Sequence, residues 1–292
     1  MTIEFDLHVH SRFSDGLLSP EALCTLAIKR KLRLLALCDH DTTDGLAPMC
    51  DAVRRTVESG HSLDFLPSIE LSTGSNGRTH VLGYGVDESS AELQAVLTEM
   101  RRKRLVRGRA MLERLRELGV TLPPEVLPPL DREGMALGRA HIARALIAVG
   151  LVSTTDQAFD RYLGAGRPAY VPLEHLTTAE AVELLTRANA VPVLAHPMRI
   201  GLKLPAIEAL AASLSPCGLR GIEAYHPSAS HANAPLLESM ARRLGLLVTG
   251  GSDFHGDSGA RAILGGVPSG WHRRADDLQA LCNAASPLIK AP

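Results

Sequence analysis

Short apolar runs alternate with amphipathic segments along the N-terminal third of the chain. The runs "IEFDLHVH", "LRLLALCDH", "LDFLPSIEL" and "THVLGYGV" are typical of β-strands. Ser19 and Pro20 mark a helix start after the first run, because serine caps a first turn and proline fits its first position. The pattern predicts alternating strands and helices, with one antiparallel or hairpin-like step between Glu70 and His80.

This alternation breaks at a long, highly charged segment. Residues 91–118 have a helical pattern and are followed by the proline-rich "TLPPEVLPPL" and two short helical patterns. Strand patterns return with "VPVLAHP", "LRGIEAYHP" and "LLVTGGSDFHG". We predict an α/β fold of about seven strands. Residues 1–99 and 169–292 would form a barrel, and a helical insertion at 100–168 would cap the active site.

Composition narrows the possible functions. The 31 Lys and Arg residues nearly balance the 32 Asp and Glu residues, which argues against a broad basic surface for long nucleic acid. The five cysteines are scattered and never form a CxxC pair, so neither a disulfide framework nor a zinc knuckle is indicated. The sequence shows no export signal, and no apolar run approaches the roughly 18 residues of a membrane span. These features predict a cytoplasmic protein without a membrane partner.

Histidines and carboxylates gather at the ends of the predicted strands. Alternate residues of a strand face the same side, so His8 and His10 would converge. In a parallel barrel the strand ends meet at one face, where active sites lie. The candidate metal ligands are His8, His10, Asp15, His40, Glu70, His80, His196, Asp253 and His255.

This set holds too many ligands for one ion and implies two or three. Imidazole and carboxylate without thiolate fit Mn²⁺, Fe²⁺ or Zn²⁺, whereas an all-oxygen Ca²⁺ site is excluded. Closely spaced cations suit the hydrolysis of phosphate esters, because they activate water and neutralise charge. Asp6 and Asp39 precede two of the ligand motifs, where they would either cap strand ends or orient imidazoles.

The sequence resembles the polymerase and histidinol phosphatase (PHP) superfamily. The motifs are "DLHVHSRFSDG", "LCDHD", "LAHP" and "GGSDFHG", with "IELST" and "RTHVLGYG" supplying the intervening Glu and His; Cys38 stands where threonine is common. The resemblance implies a distorted, TIM-like (β/α)7 barrel with three divalent ions. Mn²⁺ is expected, with Zn²⁺ or Fe²⁺ as alternatives. The implied ligand sets are His8, His10, Glu70 and Asp253; Glu70, His80 and His196; and Asp15, His40 and His255, with Glu70 bridging.

The insertion indicates to which group of this superfamily the sequence is most similar. Its "GRAHIARAL" and "YLGAGRPAYVP", with "IEAYHP", resemble the stand-alone group of nucleoside 3′,5′-bisphosphate phosphatases and 5′-3′ exonucleases for short RNA. The resemblance implies that adenosine 3′,5′-bisphosphate is hydrolysed to AMP and phosphate by a metal-bridging hydroxide. The expected substrate contacts are Arg139, Arg199, Thr42 and Ser14, and His226 would protonate the leaving oxygen or contact phosphate.

Three alternatives stay open at this point. The chain would be an exonuclease on short oligoribonucleotides, a histidinol phosphatase, or a metal-binding regulatory module without catalysis. The basic run of residues 101–109 would attract an anionic substrate, or it would simply be a solvated helix face. The expected partner is a small nucleotide or short RNA, and no protein partner can be inferred.

Overall fold

A computed structural model describes residues 5–74, 77–128, 137–256, 262–266 and 275–285. The chain divides into two compact units. The first comprises Met1–Gln94 and Leu176–Pro292, and the second comprises Ala95–His175. Among the described helices, none is both long enough and apolar enough to cross a membrane.

One seven-stranded sheet lies in the first unit, and its spatial order follows the order along the chain. The strands are β1 (Phe5–Val9), β2 (Leu34–Leu37), β3 (Asp64–Thr73), β4 (Thr79–Tyr84), β5 (Val191–Leu194), β6 (Gly221–Tyr225) and β7 (Leu247–Gly250). β4 pairs antiparallel with both of its neighbours, whereas every other pair is parallel. The start of β4 therefore lies at the same edge of the sheet as the carboxyl ends of the other six strands. This arrangement confirms the predicted antiparallel step.

The two outer strands of the sheet approach each other. Val9 forms a parallel bridge with Phe254, which follows β7, and the His10 N–H donates to the Phe254 carbonyl at 2.9 Å. Gly251 lies so close to His8 that an added Cβ would stand 2.2 Å from the His8 Cβ. The sheet is thus curled, and the segments that follow β1 and β7 are brought together.

Nine α-helices are described. They are α1 (Pro20–Lys29), α2 (Leu46–Glu58), α3 (Ala91–Glu117), α4 (Arg139–Ala148), α5 (Thr155–Ala158), α6 (Thr178–Arg187), α7 (Leu204–Leu214), α8 (Asn233–Arg243) and α9 (Ala275–Ala284). α1 begins as predicted, because Pro20 is its first residue and the Ser19 hydroxyl accepts from the Ala22 N–H. α6 was not predicted, although its Thr177 and Glu180 form a capping box.

The second unit is helical in its described residues and has its own core. Met111 and Leu115 of α3 belong to the same buried cluster as Ile142 and Leu146 of α4 and Leu163. The predicted long helix over residues 91–118 corresponds to α3. The capping role of the insertion stays a prediction.

Candidate metal centre

β1 brings two imidazoles to one face of the sheet. His8 and His10 are fully buried, and their ring centroids lie 5.1 Å apart. This is the result expected for alternate positions of one extended segment. The ring of His10 also stacks on that of His255, with centroids 4.0 Å apart, because the segments after β1 and β7 adjoin.

Glu70 of β3 lies at the centre of the cluster. Its Oε1 is 2.7 Å from His80 Nδ1 and 2.8 Å from His196 Nε2. Its Oε2 lies 3.1 Å from His8 Nε2, 3.2 Å from His40 Nδ1 and 3.3 Å from His10 Nε2. One buried carboxylate therefore faces five imidazoles that come from four different segments of the chain.

Two further carboxylates lie around this centre. Asp253 Oδ1 is 3.1 Å from His10 Nε2 and 3.5 Å from His8 Nε2. Asp15 Oδ1 is 3.1 Å from His255 Nε2 and 4.0 Å from His40 Nε2. All nine residues predicted as ligands are thereby brought into one region.

Three overlapping groups in this region could each hold a metal ion. Within each group the candidate ligand atoms lie within 4.8 Å of one another. The groups are His8, His10, Glu70 and Asp253; His10, Asp15, His40 and His255; and His40, Glu70 and His80. His196 joins the region through Glu70. Three groups around shared ligands are consistent with a site for several ions, and the identity of each ligand stays a prediction.

The chemistry of the donor atoms fits divalent metals. Among the described residues, both ring nitrogens of His10 and Nδ1 of His40 and of His196 are buried without a hydrogen-bond partner. His10 Nε2 and His40 Nδ1 lie beside carboxylate oxygens, yet without hydrogen-bond alignment. Buried polar atoms without a hydrogen bond are costly, and imidazole nitrogens directed to a common point with carboxylates are the donors that Mn²⁺, Fe²⁺ and Zn²⁺ accept.

The pKa shifts in the cluster indicate that buried negative charge needs positive charge nearby. Burial opposes ionisation of Glu70, but the surrounding imidazoles, His40 and His8 foremost, hold its pKa well below the usual range. Burial would lower the pKa of His10, whereas the carboxylates of Asp253 and Glu70 raise it to about 10. Burial lowers the pKa of His196 to about 4, despite its contact with Glu70. The carboxylates are therefore ionised, and protons or metal ions must balance their charge.

Asp6 and Asp39 anchor backbone segments. Asp6 accepts from the N–H groups of His8, Ser252 and Gly265 at 2.8–3.2 Å. Asp39 accepts from the Ser11 N–H at 2.8 Å. Within the described chain neither carboxylate bonds to an imidazole, so their contacts match the capping alternative. They hold in place the loops that carry the candidate ligands.

Two acidic residues of the site were not predicted. Glu223 of β6 is fully buried and contacts His8 and the backbone of His196. Asp41 accepts from the Ser72 N–H at 2.8 Å, and its own N–H donates to the Glu70 carbonyl. The available signal was a carboxylate inside an apolar strand run, "GIEAY", and a second aspartate after "CDH".

Two residues predicted to contact substrate lie against Asp253. Arg199 donates to Asp253 Oδ2 at 2.6 Å, although 54% of its side chain is exposed. His226 Nε2 lies 3.2 Å from the same oxygen, and its Nδ1 lies 2.7 Å from Ser228 Oγ. The structure thus places one exposed cation and one buried imidazole at the edge of the cluster.

The other predicted substrate contacts are less exposed or lie in the second unit. The Ser14 hydroxyl donates to Asp39 at 2.6 Å, and Thr42 Oγ1 accepts from the Asp44 N–H. Arg139 begins α4, with its guanidinium 5.4 Å from the centre of the Phe159 ring. All three residues stay predicted contacts.

Comparisons with known proteins show which family this chain is similar to. The model of the PHP domain matches residues 6–97. The Escherichia coli "5'-3' exoribonuclease Rnm" is 32% identical over 86% of this chain and 85% of its own length. The Chromobacterium violaceum "3',5'-nucleoside bisphosphate phosphatase" is 35% identical over 86% of each chain.

A solved structure is also similar to this chain along nearly its whole length. A candidate metal-dependent phosphoesterase of Bifidobacterium adolescentis superposes with a TM-score of 0.79 at 28% identity, and the match covers 97% of this chain and 96% of that one. The likeness thus extends well beyond the segment that the family model matches. With histidines and carboxylates gathered at the strand ends and relatives above 30% identity along most of its length, this chain belongs to the PHP family.

Proposed function

We propose that this chain is a metal-dependent phosphoesterase that removes the 3′-phosphate from adenosine 3′,5′-bisphosphate and yields AMP and phosphate. The observation that carries the proposal is the Glu70 carboxylate, which is buried among five imidazoles and belongs to two of the three overlapping candidate metal groups. The names of the relatives from E. coli, C. violaceum and B. adolescentis support phosphoester hydrolysis. The bridge between Val9 and Phe254 supports closure of the sheet into a distorted (β/α)7 barrel.

The proposal assigns three divalent ions, Mn²⁺ first, to the clustered residues. Glu70 would be shared between ions, since both of its oxygens face imidazoles. When bound, the ions would lower the pKa of a water molecule and neutralise charge on the phosphoryl group. The proposed ligands are His8, His10, Asp15, His40, Glu70, His80, His196, Asp253 and His255.

The chain's own side chains supply the remaining steps. Arg199 is exposed and near Asp253, so its guanidinium is available to pair with a substrate phosphate. His226 Nε2 faces the same aspartate, and a proton on this nitrogen would pass to the departing 3′-oxygen as its bond to phosphorus breaks. Ser14 and Thr42 complete the proposed contacts of the first unit; while Ser14 donates to Asp39, it can only accept from a ligand.

Arg139 is the proposed contact for the second phosphate. Arg139 lies near other cationic side chains. Burial and the positive charges of Arg139 and Arg104 lower the pKa of Arg107 to about 10. Several guanidinium groups together favour a polyanionic ligand. Arg107 donates to the Val171 carbonyl at 2.7 Å.

Hydrolysis of short RNA from its 5′ end is the second candidate function. Residues 95–175 contain 13 Lys and Arg against 9 Asp and Glu, so the second unit carries a net charge of +4. The rest of the chain has 18 basic and 23 acidic residues and a net charge of −5. Such asymmetry favours binding of a phosphate backbone by the second unit.

One experiment tests both candidates. Mn²⁺-loaded protein is given adenosine 3′,5′-bisphosphate and, in parallel, a short 5′-phosphorylated RNA, and the products are separated. Release of AMP and phosphate supports the bisphosphatase, and mononucleotides from the RNA support the exonuclease. Adenosine 3′-phosphate is the matched control for the need for a 5′-phosphate. If protein that holds its metals leaves every substrate intact, the proposed function is wrong.

A further inference from the structure

Glu223 joins two candidate ligands that come from different parts of the chain. Its carboxylate is fully buried in β6. Oε1 lies 2.9 Å from His8 Nδ1, and Oε2 accepts the backbone N–H of His196 at 2.7 Å. We propose that Glu223 is a positioning residue that prepares His8 and His196 for metal binding. The inference rests on the metal site of the proposed function.

The contact with His8 selects which ring nitrogen can bind a metal. An ionised carboxylate only accepts hydrogen bonds, so Nδ1 of His8 must carry the proton. The lone pair of the neutral ring is then on Nε2, the atom that lies 3.1 Å from Glu70 and 3.5 Å from Asp253. Glu223 thus presents the metal-binding nitrogen of His8 to the centre of the cluster.

The contact with His196 supports a strained turn. His196 has φ 25° and ψ 59°, in the left-handed region that residues with a Cβ avoid. Its N–H donates to Glu223 Oε2. This conformation directs His196 Nε2 to Glu70 Oε1 at 2.8 Å. Loss of the acceptor would free the turn to relax and move the ring away.

The two contacts together require a carboxylate. Both partners donate, and a carboxylate offers two acceptor oxygens. Glutamine has nearly the same shape but only one acceptor. If its NH₂ group faces His8, the ring proton must move to Nε2; if it faces His196, two donors meet. Either orientation of Glu223→Gln disturbs one candidate ligand.

The disturbance should be selective. Within the described residues, Glu223 makes no hydrogen bond or ion pair with Asp15, His40 or His255, which belong to another group. An ion held mainly by that group should therefore bind Glu223→Gln as it binds the wild type. General unfolding of the site would instead weaken every ion.

The test compares metal binding by Glu223→Gln, the wild type and a matched control. Glu238→Gln removes the same charge from a carboxylate that accepts from the Tyr225 hydroxyl at 2.6 Å. Metal-free proteins are titrated with Mn²⁺ in competition with a chelator, which gives the number of ions and each dissociation constant. We expect Glu223→Gln to lose about 10–100-fold in affinity for at least one ion while another is retained. The control should match the wild type.

The outcomes separate this inference from the proposed function. If the wild type binds no ion, the metal site and the proposed function fail. If the wild type binds ions and Glu223→Gln binds them all with equal affinity, only the role of Glu223 is wrong. Uniform loss of every ion, with unchanged circular dichroism, also contradicts the selective role.

A second measurement does not depend on folding of the variant. In Zn²⁺-loaded wild type with ¹⁵N-labelled histidine, the His8 ring should show a proton on Nδ1 and a metal on Nε2. Metal bound through Nδ1 would overturn the inference, because Glu223 would then not select the nitrogen.

Discussion

Glu70 and His80 meet across the hairpin of β3 and β4, with 2.7 Å between Glu70 Oε1 and His80 Nδ1. The pairing register places His80 opposite Ser72, so His80 and Glu70 are diagonal neighbours on one face. Because β4 runs in the reverse direction, its first residues, including His80, lie at the cluster. A residue near the start of β4 reaches the same carboxylate as residues at the ends of parallel strands.

Replacement of Glu70 should remove more than one ion. Glu70→Gln keeps the size of the side chain but turns one shared oxygen into a donor group that faces imidazoles. We expect at least about a 100-fold loss of kcat/KM and fewer bound ions per chain. Elemental analysis and phosphate release measure these quantities. Full metal content with normal turnover would show that Glu70 is not a shared ligand.

Metal removal should weaken the fold as well as the activity. Ions that bind only the folded chain stabilise it by about 2.7 kcal/mol when free metal exceeds Kd a hundredfold. For a chain of this size that corresponds to roughly 5 °C in Tm for each ion. Chelation should therefore lower Tm and abolish activity, and Mn²⁺ should restore both. A Tm that does not change on chelation would contradict metal binding in the folded state.

Substitution of Arg199 should affect substrate binding more than metal content. The exposed guanidinium pairs with Asp253 Oδ2, yet its charge is available to an incoming phosphate. Arg199→Met should raise KM for the bisphosphate roughly tenfold, the size of one charged hydrogen bond. Arg187→Met is a matched control, because Arg187 pairs with Glu92 on the surface. Loss of ions in Arg199→Met would instead give Arg199 a role in holding Asp253.

Most of the correct predictions rest on one principle, that the carboxyl ends of parallel strands lie at one edge of the sheet. This principle predicted that His8, His10, His196 and Asp253 would lie close together. The distances that decide which residues share an ion depend on the curl of the sheet, which periodicity does not record. Glu223 was missed for the same reason, since its partners are His8 and the backbone of a turn more than twenty residues away.

The sequence of helix α6 contains a capping box that predicts its first turn. Thr177 accepts from the Glu180 N–H at 3.2 Å, and Glu180 accepts from the Thr177 N–H at 2.7 Å. This is the capping box that Thr and Glu three residues apart predict. The helix itself packs its apolar face, with Leu184 and Leu185 buried.

Thr177→Ala should therefore cost stability and leave the chemistry unchanged. Loss of the cap removes about 1 kcal/mol, or roughly 2–4 °C in Tm. Ser213→Ala is the control, because it removes an exposed hydroxyl that donates to the Leu210 carbonyl one turn earlier in its own helix. Thermal unfolding of the metal-loaded proteins measures the difference. An equal change in both variants would mean that the capping box does not stabilise α6.

His226 should matter only when the leaving group needs a proton. Its Nε2 faces Asp253 at 3.2 Å and its Nδ1 contacts Ser228, so the buried ring is held at the edge of the cluster. A sugar 3′-oxygen leaves poorly as an alkoxide, whereas a nitrophenolate leaves readily without protonation. His226→Gln should therefore lower kcat by about 10²–10⁴ for the 3′-phosphate and far less for p-nitrophenyl phosphate. Metal content must equal that of the wild type for the comparison to hold. Equal losses on both substrates would assign His226 to phosphate binding instead of proton transfer.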